Sequence, residues 1–517
     1  MAMRPDFYKG VDISFLPQCM DAGMKVRDLD GSEKEPFELL EKYGVNAVRL
    51  RIWHTPGNVP ESGGYCDFAH TAAMAEEIHR HGMQFMLDFH YSDFWADPGQ
   101  QRKPKAWEGL DSCQLEEAVY RYTRDTLLAL QERGLLPDIV QIGNEIRSGL
   151  LFPDGELPDY AGMVRLVNAG IRGARSVAGP SEMQVMIHLD QGGRYFYLKE
   201  WFGHALAEGL MDFDLIGLSY YPFWHGTYSD LEGTLARLVE EYGKPVMIVE
   251  CAYAWRKCEN GFIDEAQEKI SGFPATPKGQ RGVLERVDSI TARVPGGMGL
   301  GVFYWEPLCL PVNGVGSWAE NMGLLDENGQ ALEGIQSFSL TREEYASLVW
   351  EEAAAALPAR EEERGPEGEN LLENAGWEKG LEHWQAESSG EHVSFRVLSE
   401  AEEGCPGSGG NGLRVEGRKN FTFRIAQQVR IEAAGYYCLR AEICGTDTTG
   451  VDVRLFVQSG EGRKELAVHP TEHGFTAFRT EAMWLEAGWA LAGISVAAPP
   501  MYMTARGLSF FRLPSEK

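Results

Sequence analysis

The stretch D-I-V-Q-I-G-N-E-I, residues 138–146, is an apolar run that stops at Gly143, Asn144 and Glu145. A short apolar run ending in a carboxylate reads as a buried strand that delivers an acid to the rim of a sheet. A second stretch, P-V-M-I-V-E at residues 245–250, has the same design and ends on Glu250. Two buried strands that each end in Glu are what a carboxylate pair flanking a glycosidic bond requires.

Around these two, strand-like runs alternate with helical ones through the first 340 residues. The strand runs are 10–15, 45–53, 84–90, 138–146, 183–189, 213–220, 245–250 and 300–305. Helix-period patterns fill 37–43, 68–81, 114–132, 159–177, 195–208, 229–242 and 280–294. Strand followed by helix, repeated in this way, predicts an α/β fold of parallel strands joined by crossovers, and at this length a (β/α)8 TIM barrel with some long loops. A doubly wound open sheet is the competing architecture, but no Gly-rich phosphate fingerprint follows the first strand. Active sites of barrels lie at the C-terminal ends of the strands. Asp12, Arg49, Arg51, Asp88, His90, Asn144, Glu145, His188, Asp190, Ser219, Tyr220, Tyr221, Glu250 and Trp305 fall at or near those ends. Any one of them could simply end its strand in solvent; for every strand to do so strains that explanation, because unpartnered buried polar groups are costly.

After residue 340 the composition changes. Residues 341–369 are rich in Glu and Ala and read as a short helix followed by an acidic linker. From residue 370 short alternating runs appear at 421–431, 436–443, 451–457 and 508–513, which predict an all-β sandwich, jelly-roll-like, over 370–517. The domain plan is therefore 1–340, 341–369 and 370–517.

Composition excludes several classes of function. Of 517 residues, 44% are apolar and 13 are Trp, which fits a folded chain of two or three domains. The net charge of −29 repels the phosphates of nucleic acid and of anionic membranes, so neither is an expected partner. No run of 18 apolar residues occurs to span a bilayer. The opening M-A-M-R-P-D-F-Y-K-G has no apolar h-region. A cytoplasmic location is expected from it, or an extracellular one if a native signal has been removed. Nine Cys without CxxC pairs predict reduced, mostly buried thiols rather than disulfides or a zinc site. The chain is expected to act as a monomer without a cofactor.

The two carboxylates can divide the work of glycoside hydrolysis with retention if they face each other at short range. Asn144, beside Glu145, can hold a sugar 2-hydroxyl. Arg49 and a Tyr of the sixth strand would keep Glu250 ionised and aimed, as a nucleophile requires. Glu145, facing that negative charge, should have a raised pKa and serve first as acid, then as base. For a single strand-end Glu, a structural ion pair is the ordinary explanation; the pairing favours catalysis here.

The motifs G-V-D-I-S, V-N-A-V-R-L-R-I-W, L-D-F-H-Y-S-D-F-W-A-D-P-G-Q-Q, Q-I-G-N-E-I, I-H-L-D, L-I-G-L-S-Y-Y-P-F-W-H-G, I-V-E-C-A-Y and G-V-F-Y-W-E-P, in this order from Tyr8 to Ser339, resemble glycoside hydrolase family 53, the endo-β-1,4-galactanases. The resemblance implies a retaining clan A barrel that cleaves β-1,4-galactan or its oligosaccharides. It places Glu145 as acid/base, Glu250 as nucleophile, Arg49 as the arginine supporting that nucleophile, and Tyr221 or Tyr220 as the supporting tyrosine. A clan A mannanase or glucanase, and a non-catalytic glycan-binding protein, are the alternatives.

In the loop after the third strand, Trp95 can stack on a sugar and Asp97 can hold hydroxyls, although Trp95 could equally pack the loop onto the barrel. His90 lies beside Asp88 at a strand end, where an active-site hydrogen bond competes with a core histidine. His188 and Asp190 are expected to touch the sugar, and the resemblance gives Trp305 a place in the sugar platform. Trp53, Trp224 and His225 are as well explained by rim packing. Cys251, next to Glu250, is read as inert packing. The loop R-K-C-E-N-G-F-I-D-E, 256–265, lacks alternating oxygen ligands, so no metal is expected. The C-terminal module resembles jelly-roll carbohydrate-binding modules. Of its Trp377, Trp384, Trp484 and Trp489, half or more are expected in the core.

Overall fold

The computed structural model describes residues 4–258, 263, 265–310, 321–350, 370–374, 377, 379, 381–389, 393–398, 412–417, 419, 421–445, 452–459, 462–468, 476–480, 483–498 and 501–512. Eight strands close into a barrel: β1 (Tyr8–Asp12), β2 (Ala47–Ile52), β3 (Gln84–Phe89), β4 (Ile139–Ile142), β5 (Gln184–Leu189), β6 (Leu215–Ser219), β7 (Val246–Cys251) and β8 (Gly299–Trp305). Each pairs in parallel with its neighbours in chain order, and β8 closes onto β1.

The expected helices are present: α2 (Pro36–Tyr43) after the short α1 (Leu16–Asp21), then α3 (Phe68–Arg80), α4 (Ser112–Gln131), α5 (Tyr160–Arg175), α6 (Tyr195–Ala207), α7 (Tyr228–Tyr242), α8 (Glu265–Ser271) and α9 (Pro277–Ala292). Only α1 and α8 were not anticipated; they are too short to carry a helical period. Side chains of Asp67, Asp111, Asp159, Thr227 and Thr276 cap α3, α4, α5, α7 and α9, each worth about 1 kcal/mol. No helix among the described residues is long and apolar enough to cross a membrane.

The barrel interior is filled from below by Tyr8, Ala47, Met86, Ile139, Met186, Leu215, Met247, Val249 and Phe303. Two glycines make this packing possible. A Cβ at Gly10 would sit 2.3 Å from the Phe303 ring, and one at Gly217 would sit 2.4 Å from Met186 Sδ, so each large side chain occupies the space its glycine leaves.

The chain divides into two compact units between Ala355 and Ala356, inside the stretch expected to link domains. α10 (Arg342–Ser347) is the short helix expected there; residues 351–369 lie outside the described residues. The second unit has strands β9 (Gln385–Ser389), β10 (Val393–Leu398), β11 (Gly412–Gly417), β12 (Phe421–Ile431), β13 (Gly435–Gly445), β14 (Asp452–Ser459), β15 (Gly462–Val468), β16 (Thr476–Arg479), β17 (Met483–Leu485), β18 (Gly488–Ala498) and β19 (Met501–Arg512). They form two antiparallel sheets, ordered β9-β12-β18-β14-β15 and β10-β11-β19-β13-β16, with β17 on β13. Alternate residues such as Phe421, Phe423 and Ile425 face the shared core.

Of the four tryptophans of this unit, Trp377 and Trp384 belong to that core, their rings 4.7 Å apart. Trp484 and Trp489 are 46% and 58% exposed. Five cysteines, Cys19, Cys66, Cys251, Cys309 and Cys438, are buried thiols, as expected. Cys444 is not: it is disulfide-bonded, which corrects the expectation of reduced thiols throughout. Cysteine count and spacing do not say which residues approach each other in space, which is what a disulfide needs; Cys444 lies near the end of β13.

Candidate active site

Above the apolar floor the barrel opens into a cavity of about 390 Å3. Glu145 follows β4 through a turn in which Gly143 has φ +81° and Glu145 itself φ +48°. The left-handed conformation is uncommon for a residue with a side chain and costs energy; here it turns the carboxylate into the mouth. Glu250 is inside β7, where a register irregularity sets it opposite Ser219 of β6. Ligand-type atoms of Glu145, His188 and Glu250 lie within 4.8 Å of one another. Both ring nitrogens of His188 are engaged by protein neighbours, Gln141 on one side and Ser219 on the other. The trio is thus a carboxylate pair over a buried histidine, and the imidazole has no free lone pair for a cation.

The two carboxylates have different surroundings. Glu250 Oε2 accepts from Arg49 Nη1 at 3.2 Å, and Oε1 accepts from the Tyr221 hydroxyl at 2.9 Å. Glu145 Oε1 accepts only from Ser219 Oγ, at 2.5 Å, among the described residues. Burial and then the negative charge of Glu250 push the Glu145 carboxyl well above the usual range. Burial also raises Glu250, but Arg49 and the Tyr221 hydroxyl oppose it.

Arg49 is the hub of this mouth. Its side chain is 2% exposed, and it also donates to Asp12 (3.1 Å), Asp88 (2.8 Å), Asn144 Oδ1 (2.8 Å) and Gln141 Oε1 (3.3 Å). Burying a guanidinium is tolerable only with such partners.

Arg49, His90, Trp95, Asp97, Asn144, Glu145, Asp190, Tyr221, Glu250 and Trp305, all singled out in the sequence, line the cavity. His90 is fully satisfied: Nδ1 accepts from Trp53 Nε1 and Ala96 N, and Nε2 faces Asp88 at 3.1 Å. Asn144 Nδ2 donates to Ala96 O at 2.8 Å, which leaves its second amide hydrogen for a ligand. Trp95 and Trp305 lie with ring centroids 6.2 Å apart. Asp190 is held by Arg147 Nε at 2.9 Å. Trp224 and His225, weighed as rim packing, also line the cavity.

Three expectations are corrected. Asp88 and His188 are each 0% exposed; they lie in the polar layer above the apolar floor, where they meet protein groups, and are not among the residues that line the cavity. Tyr220 is also 0% exposed, and its hydroxyl donates to Gly226 O; of the tyrosine pair it is Tyr221 that reaches Glu250. Consecutive residues point opposite ways at a strand end, so only one of the two could.

Other residues were passed over. Gln141 donates to Asp88 at 2.7 Å and contacts His188 at 2.9 Å from inside β4; its signal was an amide in an otherwise apolar strand. Glu306, with φ +50°, pairs with Arg51 at 2.7 Å. The Arg51 guanidinium packs against the rings of both Phe15 (4.2 Å) and Trp95 (4.3 Å), which helps to fix the Trp95 ring in place. Arg147 and Gln100 also line the cavity. The 256–265 loop, expected to hold no metal, lies partly outside the described residues, and the expectation stands as such.

Residues 8–338 match the model of glycosyl hydrolase family 53. An uncharacterized protein of Niallia circulans is 40% identical over 351 residues, covering 64% of this chain and 93% of its own. An arabinogalactan endo-beta-1,4-galactanase of Cellvibrio japonicus is 36% identical over 345 residues, covering 63% of this chain and 88% of its own. Among solved structures, the GH53 catalytic domain of Ignisphaera aggregans is 35% identical with a TM-score of 0.60, covering 64% of this chain and 95% of that one.

Proposed function

The chain belongs to glycosyl hydrolase family 53, and on that premise we propose that it hydrolyses β-1,4-galactan with retention, using Glu250 as nucleophile and Glu145 as acid/base. One observation carries the reading: two half-buried carboxylates within 4.8 Å of each other, of which Glu250 alone is paired with a cation among the described residues. Such spacing suits double displacement, whereas inversion needs room for a water between carboxyls roughly 6.5–9.5 Å apart.

Glu250, aimed by Arg49 and Tyr221, attacks the anomeric carbon while protonated Glu145 gives its proton to the departing oxygen. Once Glu250 is an ester its charge is gone, and the main electrostatic reason for Glu145 to hold a proton goes with it. Glu145 then takes a proton from the water that opens the ester. Trp95 and Trp305 offer the platform for galactose rings, with Asn144, Asp97 and Asp190 placed to bind hydroxyls. Reducing-sugar release from galactan but not from mannan is the expected result, with Glu250→Gln inactive on both; release by the Glu250→Gln protein would overturn the assignment.

The C-terminal sandwich is a galactan-binding module in this reading. Support comes from Trp484 and Trp489, exposed on either side of the turn between β17 and β18. Trp484→Ala with Trp489→Ala in the full chain should abolish retention on insoluble galactan while leaving hydrolysis of soluble galactan intact; unchanged retention would sink the binding role. The disulfide at Cys444 suits an oxidising compartment, and so favours the extracellular reading, where the polymer is met.

A further inference from the structure

Beneath the cavity a chain of buried polar groups ends on Glu145, and the catalytic reading leaves it without a task. It begins at Gln141, whose amide has only one orientation open to it. Its Oε1 faces Arg49 Nε, which can only donate, and its Nε2 faces Asp88 Oδ1 at 2.7 Å, which can only accept when ionised. The second N–H of Nε2 is shared between His188 Nδ1, at 2.9 Å, and Gly143 O, at 3.1 Å. The backbone N–H of Glu145 is directed at the same nitrogen from 3.4 Å. Asn144 Oδ1 is 3.1 Å from it too and has a lone pair left beside the one that meets Arg49, but an Nδ1–H turned to it would set a third donor against the N–H groups of Gln141 and Glu145. With two donors aimed at it, Nδ1 is an acceptor, and the ring proton is on Nε2. Nε2 is 2.9 Å from Ser219 Oγ. Accepting there, the hydroxyl has its own hydrogen free for Glu145 Oε1, 2.5 Å away. Burial and Arg49 hold His188 neutral, so the imidazole does not compete as an acid.

We propose that Ser219 and His188 are positioning residues that decide which oxygen of Glu145 carries the catalytic proton. The relay keeps Oε1 as a hydrogen-bond acceptor in every state, so the proton resides on Oε2, and from Oε2 it passes to the glycosidic oxygen as the bond to the anomeric carbon breaks. Without the relay Oε1 can be protonated as well, and that proton would point into the barrel wall. The inference rests on Glu145 being the acid/base. The charged and titratable groups that face Glu145 are Glu250, Asp190 and Asp97, which raise its pKa, with Arg49, Arg147 and Tyr221 nearby. The Ser219 hydrogen bond acts the other way and lowers it.

The test compares kcat/KM on galactan with kcat/KM on a nitrophenyl β-1,4-galactobioside, whose leaving group departs without protonation. Their ratio does not depend on how much enzyme is folded. Ser219→Ala should lower the galactan value about tenfold and the nitrophenyl value less than about twofold, a part of the ~10²–10⁴ that general acid catalysis supplies. It should also move the basic limb of the galactan pH profile upward, because a bond that favours the anion is gone. Ser219→Thr should restore both the ratio and the limb. An unchanged ratio in Ser219→Ala, with an unmoved limb, overturns the proposal. Glu145→Ala separates the two failures. If it shifts the ratio and Ser219→Ala does not, only the relay falls; if it leaves the ratio alone, the acid/base assignment falls and the relay with it.

Discussion

Gln141 lies two positions beyond Ile139 along β4, and between them the barrel interior changes its chemistry. The same step of two recurs around the wall: Ala47 to Arg49, Met86 to Asp88, Met186 to His188 and Phe303 to Trp305, each from the apolar floor to the mouth. Alternate residues of a strand face the same side, so each pair stacks as successive inward layers. The floor is packed by shape alone, large side chains against the gaps at Gly10 and Gly217. The mouth is packed by charge, with Arg49 reaching Asp12, Asp88 and Glu250. Floor and mouth share one backbone, so a substitution in either layer tests whether stability and chemistry can be separated.

The largest effect should come from the mouth. Glu250→Gln keeps shape and removes the nucleophile, and should lower kcat on galactan by at least about 10⁴-fold. Thermal melting should show the fold intact, since no buried cation is left wholly alone: Arg49 retains Asp12 and Asp88. A large fall in Tm would mean the mouth is structural first. In the floor the reverse is expected. Phe303→Ala should cost about 3–5 kcal/mol by the cavity it opens, measured by urea unfolding, while kcat at low temperature stays close to wild type. A matching loss of kcat would show that the layers are coupled.

This layering also explains what is legible in the sequence. Glu145 and Glu250 stood out because each ends an apolar run, and the strand count put both at one rim. Arg49 and a tyrosine of the sixth strand followed from what a nucleophile needs, with Tyr220 and Tyr221 both left open. Gln141 did not, because attention to strand ends skips an amide one layer further down, although its spacing from Ile139 carries the information. Asp88 and His188 were assigned to the sugar for the same reason: a position in sequence says that a side chain faces inward, not how many layers of side chains lie above it. Trp484 and Trp489 could not be told from Trp377 and Trp384, since a short antiparallel strand lets either face be the wet one. The disulfide at Cys444 depended on a pairing that neither the count nor the spacing of cysteines encodes.

Within the mouth a smaller effect should separate aim from chemistry. Tyr221→Phe removes one of the two donors to Glu250, and should lower kcat about tenfold, the scale of a hydrogen bond to a charged group, with KM little changed. A KM effect alone would make Tyr221 a sugar ligand instead.

The smallest effect concerns pH, and its sign is the informative part. Turnover needs Glu145 protonated, so the basic limb of kcat/KM reports its pKa. Asp190 is a negative charge that raises that pKa, after burial and Glu250. Asp190→Asn removes the charge and keeps the shape, so the anion of Glu145 forms more easily and the limb should move to lower pH. Ser219→Ala should move the same limb to higher pH, because it removes a donor to the anion rather than a repelling charge. Two neutral, near-isosteric changes at one carboxylate, with opposite displacements in a pH–rate profile, leave little room for general loosening of the mouth. Loosening would admit water and shift both variants the same way, toward the ordinary carboxylate range.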